Sequence, residues 1–317
     1  MKLNSIFFFF LVVLFIFALI ACNKEDNSSE NAKGEVEISI TDAPVDDPGI
    51  KSTVITVTGL ELDGTRFNFD NEVQLDIMAY QRGNTKILFT EEIQAASYSS
   101  LALILKAGEK NGHPACFVET KDGVKHDLFT GIGGEVKFNT STKTIKVMEG
   151  SKTSIVLDFN VRNAIRYSTN TGSDKYNFNA DFDSIIRAEN TSTSKVISGK
   201  VADPLSLGGS RIVAYLYVKG EFNKQVETSV SGSNGIMFEN ALSSDAVDAS
   251  GNFSFHFIPS QKYEIVLVGY ENIDSDSEYE VKGFLTTNIL GSLGIEIDAL
   301  ASGNVNTNLT ITGFLGI

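Results

Sequence analysis

The sequence predicts an all-β chain: two tandem β-sandwich domains behind an N-terminal tether. Three observations lead there. Apolar residues alternate with polar ones at a period of two through most of the chain, the mark of half-buried strands. Gly, Asn and Asp pairs punctuate these runs at short intervals, as in sandwiches and barrels. No long segment carries the 3.6-residue spacing of an amphipathic helix.

The elements follow in order. Val36, Ile38 and Ile40 alternate with Glu37 and Ser39, which predicts the first strand. Further strands are predicted at 53–62, 73–78, 98–106, 135–139, 144–148 and 154–160, rich in the β-branched residues that suit a pleated surface. Asp63-Gly64, Arg82-Gly83-Asn84, Asn111-Gly112, Asp122-Gly123 and Gly133-Gly134 supply the turns between them. A polar seam at 190–195 reads as a linker, so the first domain is placed at 34–189 and the second at 196–317. Strands resume at 196–201, 211–218, 253–257, 263–269, 279–285 and 305–312, while 286–301 is mixed, with room for a short helix. In 253–257 alternation sends Phe253, Phe255 and Phe257 to the core and His256 to the opposite face.

The N-terminus reads as a secretory signal: Lys2, then an apolar run from Ile6 to Ile20, then small residues. The run is shorter than the ~20 residues that span a bilayer core, and no basic stop-transfer cluster follows. Leu19-Ile20-Ala21-Cys22 resembles the lipobox of bacterial lipoproteins. That resemblance implies cleavage after Ala21, lipidation of Cys22, anchorage in the outer membrane through that lipid, and a tether over 22–33. Lys24-Glu25-Asp26 resembles the surface-export signal of Bacteroidota lipoproteins and implies that the chain faces the cell exterior.

Composition narrows the function classes. The formal net charge of −14 argues against nucleic acid and against anionic lipid bound through a basic patch. Of two cysteines, lipidation leaves Cys116, which is expected to be a buried structural thiol. Trp is absent, so a sugar-stacking platform would have to come from Tyr or Phe. No nucleophile elbow or P-loop occurs, and His113, His126 and His256 lack the spacing of a metal motif.

Two stretches carry family resemblances. Val36–Pro44, with its Thr41-Asp42-Ala43-Pro44 element, precedes Val54–Leu62, Tyr98–Leu105, Ile155–Asn160 and Asp181–Arg187 in an order that resembles domain-of-unknown-function family 4382. The resemblance implies a bacterial lipoprotein domain and no assigned activity. Gly251–Pro259 followed by Tyr263–Tyr270 resembles the carboxypeptidase-regulatory, or transthyretin-like, sandwich, which implies a spacer or binding module. Gln261 stands where that family usually has Gly. Asp183-Ser184-Ile185 resembles a short Bacteroidota O-glycosylation pattern.

Two acidic loops are the candidate sites. Asp42, at a strand end, is expected to cap backbone N–H groups in an Asx-type turn, and with Asp46 and Asp47 it offers a ligand loop. Asp274, Asp276, Glu278 and Glu280 alternate, and several carboxylates in one loop suit calcium, a candidate metal here. No other cofactor is expected. The residues thus point to a non-catalytic surface lipoprotein that binds an extracellular glycan or protein. A fimbrillin-like pilus subunit is the alternative, and a hydrolase accessory ranks third.

Overall fold

The computed structural model describes residues 32–42, 49–142, 144–167, 176–178, 185–202, 210–229, 237–272, 280–287, 293–300 and 303–317. The first unit contains strands β1 (Lys33–Asp42), β2 (Ile50–Leu62), β3 (Thr65–Asp76), β4 (Lys86–Gln94), β5 (Leu101–Ala107), β6 (Phe117–Thr120), β7 (Lys125–Asp127), β8 (Gly134–Thr142), β9 (Lys152–Phe159) and β10 (Ile186–Asn190). They hydrogen-bond in the order β7-β6-β2-β5-β8-β10-β9-β1-β4, with β3 also on β2. The second unit contains β11 (Lys195–Ala202), β12 (Arg211–Val218), β13 (Ser243–Ala246), β14 (Asn252–Ile258), β15 (Lys262–Glu271), β16 (Glu280–Thr287), β17 (Gly294–Asp298) and β18 (Val305–Gly316). Their order is β13-β12-β15-β16-β18-β11-β14, with β17 on β15. Two single-turn helices, α1 (Val161–Ala164) and α2 (Lys224–Glu227), complete the regular structure used below. Among the described residues no helix is long and apolar enough to cross a membrane.

Each unit turns one long strand around a sandwich corner. In β8, residues 134–139 pair antiparallel with β5, and 140–142 pair parallel with β10. In β18, residues 305–310 run parallel to β11, and 311–316 pair antiparallel with β16. A strand that changes sheets is a common way to make such a corner. The hairpin between β2 and β3 turns at Asp63 (φ 43°) and Gly64 (φ 80°). Two consecutive positive φ angles match the right-handed twist of the flanking strands, and Asp-Gly tolerates them.

The first unit has one hydrophobic core, from Ile38 and Ile40 through Ile55, Leu103, Phe138 and Phe159. The second has two, because β12 and β15 are buried on both faces. Ile212, Ala214, Leu216, Ile265 and Leu267 pack inside the sandwich. Val213, Tyr215, Tyr217, Val266 and Val268 pack on the other side against Phe238, Ala241 and Phe284. Continuous apolar runs such as Ile-Val-Ala-Tyr-Leu-Tyr are what burial on two faces requires.

Several expectations need correction. β3 starts at Thr65, well before 73, because the hairpin needs no loop beyond Asp63-Gly64. Within 286–301, residues 294–298 form strand β17, held by five register pairs to β15, while 288–292 and 301 lie outside the described residues. Strand β4 carries no clean alternation, with only Phe89 and Ile93 buried, and is found by its pairing with β1. Phe257 does not join Phe253 and Phe255 in the core. Its φ of +53° marks an irregularity where the β11–β14 register shifts, so Ile258 turns inward instead.

Candidate functional site

Asp42 ends β1 and is only 3% exposed. Its Oδ1 accepts the N–H of Val161 (3.2 Å), and its Oδ2 accepts from Gln81 Nε2 (2.9 Å). The N–H capped in this way belongs to the first turn of α1, at the exit of β9, and not to a neighbour in sequence. Burial raises the Asp42 carboxyl well above the ordinary aspartate range, against the pull of these two hydrogen bonds. Such a carboxylate, enclosed and already bonded, is a structural cap. Asp46 and Asp47 lie outside the described residues, as do Asp274, Asp276 and Glu278 of the other acidic loop. Glu280 opens β16 opposite Glu271. Cys22, Lys24, Glu25, Asp26 and Ser184 also lie outside the described residues.

Cys116 is fully buried, its thiol pushed up to about 12 mainly by burial. It lies 3.4 Å from the Thr56 N–H and donates to the Lys106 carbonyl (3.3 Å). His126 stacks near Tyr176, with ring centroids 5.0 Å apart. Among the described residues no three His, Cys, Asp or Glu side chains gather where they could hold a metal.

Among the described residues, charged side chains gather where the two units meet. Three arginines of the first unit reach into the second. Arg162, on α1, donates to the carbonyls of Met237 (3.2 Å), Phe238 (2.7 Å) and Ala241 (3.2 Å). Its guanidinium also lies 5.7 Å from the Tyr215 ring centroid. Arg187, on β10, donates to the Phe257 carbonyl (2.8 Å) and pairs with buried Asp158. Arg82 donates through Nε to Asp245 (3.0 Å) and through Nη2 to the Ala246 carbonyl (2.8 Å). Asp245 is 1% exposed, so this pair is anchored from the buried side. Arg82, Phe238 and Phe257 all have positive φ, near +55°. Left-handed backbone at large residues persists where surrounding contacts over-determine it. Here the contacts are the arginine bonds themselves.

Gly83, beside Arg82, has φ +84°, and a Cβ there would sit 2.6 Å from His256 Nδ1. The bare glycine lets the Arg82-Gly83 turn close over the imidazole. His256 is therefore half-buried rather than solvated, and burial, then the Arg82 charge, lowers its pKa. Its Nε2 lies 3.0 Å from Ser254 Oγ. That is a nucleophile–base distance, but a working pair also needs a group to orient the base and room for a reacting carbonyl. The crevice beside it, between Asp42, Asp158 and His256, holds only about 10 Å³.

Next to this turn opens a cleft of about 360 Å³. Its floor is the outer face of β18, β11 and β14. Strand register aligns Ser254, Ser198 and Asn306 in one row, and Asn252, Lys200 and Asn308 in the next. Its walls are Arg82 with Asp245, and the loop that carries Asp248. The Asp248 carboxylate accepts from the N–H groups of Ser250 and Asn252, both 2.8 Å, and from the Asn252 amide. These bonds hold its carboxyl below the usual range, the Asn252 bonds contributing most. The sequence alone marked Arg82-Gly83-Asn84 only as a turn. The Asn-x-Asn and Ser-x-Lys patterns of β18 and β11 were the available signal, and they gain meaning only when three strands lie side by side.

Residues 33–180 match the model of a family described as "Domain of unknown function (DUF4382)". The match covers the region in which the Thr-Asp-Ala-Pro element and the strand order resemble that family. No curated protein matches the chain. Among solved structures, a protein from Pseudomonas aeruginosa described as a "putative carbohydrate binding protein" shares 16% identity over 38% of this chain and 91% of its own, with a TM-score of 0.23. The major pilin subunit of Bacillus cereus shares 10% over 88% of this chain and 70% of its own, with a TM-score of 0.21. The shaft pilin of Lactobacillus rhamnosus GG shares 8% over 89% of this chain and 99% of its own, with a TM-score of 0.22. Scores this low transfer no property to this chain.

Proposed function

We propose that this protein is a lipid-anchored module on the exterior of the outer membrane that binds an extracellular glycan or protein and does not turn it over. The observation that carries the binding reading is the open polar cleft beside the junction, built on strands and walled by a buried-side ion pair. A floor of sheet residues is ordered before the ligand arrives, which lowers the cost of binding. The anchoring reading rests on Leu19-Ile20-Ala21-Cys22 and the address on Lys24-Glu25-Asp26. A likeness of the second unit to the carboxypeptidase-regulatory sandwich suits a binding or spacing role.

The test is made on the full chain in intact cells and in detergent. Cells should lose the protein to external protease, and palmitate labelling should vanish in Cys22→Ala. Purified protein is then applied to a glycan array and to immobilised extracellular-matrix proteins. Binding to either supports the reading. Silence on both, or turnover of bound material that Ser254→Ala abolishes, would sink it.

The pilus alternative has one observation in its favour. Among the described residues β4 stands at the end of its sheet, bonded on one side to β1, with Ile87 53% exposed. Such an edge is open to strand addition. Polymers formed after protease trimming near the N-terminus would favour that alternative.

A further inference from the structure

We infer that the cleft is a subsite for a neutral, polyhydroxylated ligand, a short stretch of uncharged glycan lying across β18, β11 and β14. This inference rests on the binding reading above and narrows it to one ligand class. Its starting point is the side-chain grid. Neighbouring strands stand about 4.8 Å apart, and alternate residues along a strand about 6.6 Å. Ser198, Ser254, Asn252, Asn306, Asn308 and Lys200 therefore stand on a regular lattice of hydroxyl, amide and ammonium groups, in which Ser254 already bonds His256 and the Asn252 amide already bonds Asp248. A sugar hydroxyl both donates and accepts, and Ser and Asn side chains answer both roles. Among the described residues, Ser198, Lys200 and Asn306 make no side-chain hydrogen bond or ion pair within the chain. They hold unspent capacity in the middle and at one side of the grid.

The other ligand classes meet specific obstacles. A protein partner needs an apolar or aromatic anchor in a desolvated pocket. Among the described residues the one aromatic side chain lining this cleft is Phe253, which is 3% exposed and committed to the core. A polyanion needs several free cations. Arg82 is spent on Asp245 and Ala246, which among the described lining residues leaves Lys200, on a chain of net charge −14. A divalent cation needs free carboxylates. Asp248 is occupied by its own loop, and Asp245 by Arg82 and the Ser254 N–H. The cleft volume of about 360 Å³ falls in the range of small-ligand pockets, about 300–1,000 Å³.

The experiment titrates the full chain in detergent with neutral oligosaccharides (xylan, mannan, galactan and β-glucan fragments), with polygalacturonate and heparin fragments, and with calcium. At least one neutral series should bind. The Ser198→Ala/Asn306→Ala double variant should weaken it at least tenfold with an unchanged melting temperature, because Asn306 is exposed and Ser198 has no partner to lose. Raising salt from 50 to 500 mM should alter the affinity less than twofold. Cleft-dependent binding confined to the acidic fragments, lost in Lys200→Met and at high salt, would overturn the neutral class while leaving a binding module. Neutral binding indifferent to the double variant would overturn the site. Failure of every glycan, with capture of a matrix protein intact, would overturn the ligand class alone.

Discussion

Asp42 is a carboxylate enclosed by the first unit, with its charge facing two hydrogen-bond donors and little water. Its pKa in the folded chain lies above the unfolded value of about 3.9. Between those two values the folded chain holds a proton that the unfolded chain has released. Stability from this residue is therefore fullest below about pH 4 and is lost as pH rises through the folded pKa. Asp42→Asn keeps an oxygen for the Val161 N–H and removes the titration. The variant should gain on the wild type in urea midpoints as pH rises above about 4, until the folded carboxyl has ionised, and a difference that never changes with pH would refute this account. Cys116 gives a second outcome at this scale. With no exposed surface and a thiol pushed up to about 12, it should resist iodoacetamide at pH 8 in the folded protein and react on unfolding. The burial of Cys116 was legible as the usual place of a lone cysteine. The partner of Asp42 was not, since Val161 lies far along the chain and only parallel pairing of β1 with β9 brings it near.

At the scale of elements, alternation located most strands and missed those held by context. β12 was visible as a run of β-formers, yet its burial on both faces depends on what covers its outer side. Met237, Phe238 and Ala241 do so, together with the arginine from α1. Irregular backbone also shapes the cleft. Gly251 sits at φ +87°, and a Cβ there would stand 2.1 Å from the Val201 carbonyl oxygen, a backbone atom that cannot step aside. Gly251→Ala should therefore cost about 2 kcal/mol or more from left-handed strain and overlap. The same change should disturb the Asp248 loop, which bonds across it to Asn252. A denaturation midpoint equal to the wild type would show that the loop adapts.

At the scale of the molecule, the arginines that cross between the units are expected to make the two sandwiches unfold together. Arg162 bonds mainly to carbonyls, so Arg162→Ala should loosen the junction and spare the cores. The wild type should melt in one calorimetric transition, and Arg162→Ala/Arg82→Ala in two, with a larger radius of gyration by solution scattering. Removing Arg82 also strands Asp245, and an uncompensated buried charge costs about 3–5 kcal/mol. The second unit should therefore be the first to melt. Unchanged cooperativity in the double variant would assign the junction to apolar packing instead.

By itself the sequence determined the all-β class, the turn at Asp63-Gly64, and the inward course of Phe253 and Phe255. Each is written in local periodicity or in a few consecutive residues, where side-chain direction and turn sterics act over short range. Tertiary structure alone decided the corner strands, the two-faced burial of β12, the Arg82–Asp245 junction and the polar grid of the cleft. Those features depend on residues far apart in the chain meeting in register. Hydrogen-bonded pairing between strands fixes that register, and no single stretch of sequence contains it.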